Sequence, residues 1–61
     1  MKRRDLIKRI TKDAGYEKER EGGEHTIYES KVAGKPPLQV PRHNEISENT
    51  ARAILKQAGL K

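Results

Sequence analysis

The stretch Glu21-Gly22-Gly23-Glu24-His25-Thr26-Ile27-Tyr28-Glu29-Ser30 decides the fold. Glycine tolerates the positive φ that tight hairpins require, so Glu21-Gly22-Gly23 is predicted to be a turn. Glu24 to Ser30 then reads as a strand, carrying β-branched and aromatic residues at its centre. A period of two puts His25, Ile27 and Glu29 on one face and Glu24, Thr26 and Tyr28 on the other. On the other side of the turn, Tyr16 to Arg20 reads as a partner strand. Its charge places it near a sheet edge.

Working outward, Lys31 to Pro37 is a loop, punctuated by Gly34 and Pro36-Pro37. Leu38 to Val40 is a third, short strand. Pro41 cannot donate to a ladder and marks the strand end or a sheet edge. Before the strands, Lys2 to Ala14 is predicted to be a helix. Leu6, Ile7, Ile10 and Ala14 form its apolar stripe, and Gly15 follows as a stop. After them, Ser47 is placed to cap a second helix, with Glu48 in its first turn. That helix carries the stripe Thr50, Ala51, Ile54, Leu55 and Ala58 and ends at Gly59.

The order is α-β-β-β-α. Each helix has one apolar stripe, so both are expected on one face of a three-stranded antiparallel sheet, in an α+β fold. The other face is left open. The chain is expected to be one domain over residues 1–61, with a small core. Leu, Ile and Val number 11 of 61 residues, and there is no Phe or Trp. A chain of this size buries only about 60% of the surface its unfolded form exposes.

With 14 Lys and Arg against 9 Asp and Glu, the net charge is +5. That balance points to an anionic partner, nucleic acid first. There is no cysteine, which excludes disulfides and thiolate zinc sites and fits a reducing cytoplasm. No apolar run approaches the roughly 20 residues of a membrane helix. Lys2-Arg3-Arg4 runs into Asp5 and a charged helix rather than an apolar signal core. A cytoplasmic location is expected, with no membrane partner.

The two histidines, His25 and His43, both fall at predicted strand ends. Histidine has an unperturbed pKa of about 6.5 and can exchange protons near neutrality. RNA carries its own nucleophile, the 2′-OH. Cleavage needs that proton removed, phosphate charge stabilised and the departing 5′ oxygen protonated. His25 is the stronger candidate because a tight glycine turn holds it near solvent. His43 is the weaker one, and its ring can equally bond backbone near the last helix. Lys2, Arg3, Arg4, Lys8, Arg9 and Arg42, with Arg52 and Lys56, are candidates for phosphate contact. Tyr16 and Tyr28 are assigned to the core, which leaves no stacking platform for reading bases. Backbone and shape recognition of RNA fits this composition better than sequence readout. No metal-ligand spacing is present, and no cofactor is expected.

Several segments together match a known family. Gly23-Glu24-His25 with Tyr28 is one. Val40-Pro41-Arg42-His43-Asn44-Glu45 is another. Thr50 and Ala53-Ile54-Leu55-Lys56-Gln57-Ala58-Gly59-Leu60 complete the set, with Ala14-Gly15-Tyr16 closing the first helix. The chain resembles the HicA family, small toxins of type II toxin–antitoxin pairs. The resemblance implies a double-stranded-RNA-binding-domain-like fold and a ribosome-independent mRNA endoribonuclease, for which the histidine chemistry above requires no metal. The family's catalytic histidine lies in a Gly-Ser-His motif, which implies His25 here, with Glu24 in the serine position. It also implies a HicB-type antitoxin that covers the active surface and represses transcription of the pair. No DNA contact by this chain alone is expected. The alternative is a non-catalytic RNA-binding or antitoxin-binding module of the same fold.

Overall fold

The structure is a computed structural model that describes residues 1–60. Its elements are α1 (Arg3–Lys12), β1 (Tyr16–Gly22), β2 (His25–Ser30), β3 (Leu38–Pro41) and α2 (Glu48–Gln57). The sheet order is β1-β2-β3 and both pairings are antiparallel. β1 is an edge strand, as its charge suggested. One apolar cluster joins Leu6 and Ile10 of α1 to Ala51, Ile54 and Leu55 of α2. The same cluster includes Tyr16, Tyr28, Leu38 and Val40 from the sheet. Both helices therefore cover one sheet face, and the α-β-β-β-α arrangement expected from the sequence is the one observed.

The helix stops follow the local chemistry. The Ser47 side chain accepts a hydrogen bond from the Thr50 amide at the start of α2. At its end, Leu60 N–H donates to Leu55 O at 2.8 Å and Gly59 N–H to Lys56 O at 3.0 Å. With Gly59 at φ +88°, this is the paired-bond ending that left-handed glycine makes possible. α1 is shorter than its apolar stripe. It ends at Lys12, and Ala14, buried in the core, lies in the connection to β1. At its other end Met1 O accepts from Ile46 N–H, and Arg3 N–H donates to Asn44 O. Ile46, buried at the base of α2, was missed by the helical periodicity because it precedes the helix.

The hairpin differs from expectation in two ways. First, β1 runs on through Glu21 and Gly22, and the turn is Gly23-Glu24. Gly22 pairs with His25 across a two-residue loop. Gly23 has φ +56° and Glu24 does not need a positive φ, so one glycine suffices and Glu24 sits in the turn rather than in the strand. Second, the register slips between Lys18 and Arg20, which leaves Glu19 as a bulge. An extra residue inverts the facing of everything beyond it. Lys18 and Glu21 therefore share the helix-facing side with Tyr28 and Thr26, while Arg20 and Gly22 face outward with Ile27 and His25. No helix is long and apolar enough to cross a membrane among the described residues.

Candidate active site around the hairpin

His25 is the first residue of β2 and lies half-buried on the uncovered sheet face. Gly22 pairs with it on one side and Pro41 on the other. All three strands thus meet at its level. Arg42 N–H donates to Glu24 O at 3.1 Å. Pro41, opposite His25, consequently turns its own backbone outward, where a missing N–H costs nothing.

Beneath His25, on the helix side, lies Thr26, which is 1% exposed. Its hydroxyl donates to Glu21 Oε1 at 2.9 Å and accepts from Arg3 Nη2 at 2.8 Å. Arg3 Nε also donates to Pro41 O at 3.0 Å. One guanidinium thus joins α1, β2 and β3. Glu21 continues the chain: Lys18 Nζ lies 3.6 Å from Oε2 and Arg42 Nε 3.9 Å from Oε1. The Thr26 hydrogen bond, then the Lys18 and Arg42 charges, hold the Glu21 carboxyl below its ordinary range. Arg42 Nη1 donates to Gly23 O at 3.3 Å and secures the turn itself. Burial pushes the Tyr28 phenol up, and the nearby Arg3 charge opposes it.

The sequence made Arg3 and Arg42 candidates for phosphate contact. Both make bonds within the protein, as above. Lys2, Arg3 and Arg4 line, with Asn44, an open depression of about 270 Å³ beside the start of α1. Lys8 is exposed on α1, and Arg9 reaches toward Asp13 at 3.8 Å. Arg52 and Lys56 are exposed on α2. The charge is strongly segregated. Residues 16–30 hold Lys18 and Arg20 against Glu17, Glu19, Glu21, Glu24 and Glu29. All the remaining Lys and Arg lie elsewhere, so the hairpin is acidic and the helix side is basic.

His43 lies past β3, exposed, in the segment leading to α2. It lines a second depression, of about 230 Å³, with Pro41, Glu45, Ile46, Ser47 and Thr50. His25 is not part of that lining. The fold brings His43 to the base of α2, and its ring makes no hydrogen bond among the described residues. No group of three or more His, Asp or Glu side chains is arranged to hold a metal ion among the described residues.

The sequence reading missed the Thr26 junction. A signal for it exists, since a threonine on the core face of a strand needs a buried partner for its hydroxyl. The identity of that partner is not local information.

The fold and site together define a small, largely cationic α-β-β-β-α domain with one sheet face uncovered and a histidine at the hairpin end of that face. A protein-family model described as HicA toxin of bacterial toxin-antitoxin matches residues 3–60. The chain belongs to the HicA toxin family. It is thus the toxin of a toxin–antitoxin system, and the family implies a cognate antitoxin as its partner. Comparison with curated proteins and with solved structures gave no significant match.

Proposed function

We propose that this protein is a metal-independent endoribonuclease that cleaves mRNA, with His25 as general acid/base, and that a HicB-type antitoxin inhibits it. The observation that carries the reading is the position of His25. It is half-buried at the end of an uncovered sheet face, at a level where all three strands meet. In this reading the imidazole takes the proton of a 2′-OH. The 2′ oxygen then attacks the adjacent phosphorus, the bond to the 5′ oxygen breaks, and that oxygen leaves with a proton given by a protonated histidine, His43 or the imidazolium of His25. The products are a 2′,3′-cyclic phosphate and a 5′-hydroxyl end. Lys2, Arg4 and the free parts of Arg3 and Arg42 hold the phosphates, with Lys8 and Arg9 further along α1. His43 assists from the β3–α2 segment.

The test is incubation of the purified protein with mRNA in EDTA beside His25→Ala. The expected loss in the variant is on the order of 10²- to 10⁴-fold, the usual worth of a positioned acid or base. His43→Ala is expected to lose less than His25→Ala. Cleavage that persists in His25→Ala, or that chelation abolishes in the wild type, overturns the mechanism.

One observation favours a second reading, a non-catalytic RNA-binding or antitoxin-binding module. Glu24 immediately precedes His25 in a hairpin with excess acid, which repels phosphate. This reading expects salt-sensitive RNA binding without scission. Growth arrest on induction that His25→Ala abolishes would exclude it.

A further inference from the structure

We infer that Arg3, Thr26 and Glu21 form a positioning relay that sets the hairpin, and hence His25, from the opposite side of the sheet. The inference rests on the reading of His25 as the acid/base group. Three observations converge on it. Thr26 is the residue after His25, and its hydroxyl has both a donor and an acceptor partner within 2.9 Å. Arg3 grips the carbonyl of Pro41, the residue paired with His25, at 3.0 Å. Glu21 precedes Gly22, the other residue paired with His25, and only the bulge at Glu19 turns its carboxylate toward Thr26.

The Pro41 carbonyl and the Glu21 side chain, next to Gly22, are thereby linked through one buried hydroxyl and the Arg3 guanidinium by charge-assisted hydrogen bonds, which are shorter and stronger than neutral ones. Lys18 and Arg42 lie within 3.9 Å of the Glu21 carboxylate and complete its charge balance. Thr26 is buried and cannot touch RNA. Its effect on cleavage must pass through the placement of His25, so it is a positioning residue.

Two substitutions at Thr26 separate the roles. Thr26→Val removes the hydroxyl and keeps the shape, while Thr26→Ser keeps the hydroxyl. With protein shown to be folded by circular dichroism at the assay temperature, Thr26→Val is expected to lower kcat on the order of 10- to 100-fold, the scale of a misplaced catalytic group. KM changes less than kcat, since Thr26 itself makes no RNA contact. Thr26→Ser recovers most of the rate. Amide hydrogen exchange at Gly22 and His25 speeds up in Thr26→Val and not in Thr26→Ser.

Unchanged kcat in folded Thr26→Val overturns the relay, as does a loss that appears only in KM. Should Thr26→Val not fold, the exposed Glu21→Ala serves in its place. Faster exchange at Gly22 and His25 is expected there, and unchanged exchange overturns the relay. A wild type that does not cleave RNA removes the functional reading. The exchange measurement then decides by itself whether the relay sets the hairpin.

Discussion

Apart from the phenols of Tyr16 and Tyr28, Thr26 carries the only polar side chain in the buried set of the described residues. A threonine hydroxyl can donate once and accept twice, and here it does one of each within the protein. Removing it leaves the Arg3 guanidinium short of an acceptor in a half-buried place, and an unmet buried group costs about 1–3 kcal/mol. Glu21 gives the same junction a pH dependence. Its carboxyl is held below the ordinary range in the folded protein, so the unfolded chain binds the proton more tightly. The stabilisation is whole above the unfolded value, about 4.3 for a glutamate. It is lost as pH falls through the lower folded value. Thermal melts of wild type and Glu21→Gln are expected to differ most near neutral pH and to converge in acid below the ordinary carboxylate range. A difference that grows in acid contradicts this assignment.

The hairpin and α2 show how much an element owes to single positions. Gly23 supplies the positive φ of the turn, and a Cβ there would meet no atom within 4 Å. The cost of Gly23→Ala is therefore conformational rather than steric, about 1–2 kcal/mol for the left-handed region. Gly23→Asn, which visits that region more readily, is expected to cost less in a urea titration. In α2, Ser47→Ala removes the cap on the Thr50 amide, at a cost of about 1 kcal/mol. These elements were legible in the sequence because turn glycines, caps and apolar stripes act within a few residues. The exact turn was not legible. Two adjacent glycines offer alternative registers, and cross-strand pairing of Gly22 with His25 chose between them.

At the scale of the whole molecule, the fold sorts the charge into a basic helix side and an acidic hairpin. If the proposed RNA substrate binds through the helix side, it must release counterions there. Replacing Lys2 and Arg4 by Ala is expected to reduce the slope of log affinity against log salt by about 0.7 per single-strand phosphate contact removed. Filter binding across a salt series measures it, and an unchanged slope removes these residues from the interface. A partner that binds only the folded toxin stabilises it by mass action. Antitoxin at 100 times its Kd is expected to stabilise the toxin by about 2.7 kcal/mol through mass action alone. A thermal shift with and without the partner reads this directly.

The sequence by itself determined the element order, the faces of β2, the apolar stripes and the capping of α2. Each of these follows from periods of 2 or 3.6 residues, or from backbone preferences at one position. It also carried the histidine hairpin and the segments that mark the family. Only the tertiary structure decided that Glu19 bulges and turns Glu21 inward, and that His43 lies at the base of α2. It alone tied Arg3 to the strands. The physical reason is range. Arg3 meets Thr26 and Pro41 across 23 and 38 residues of chain, and no local preference of either residue specifies a partner at that distance.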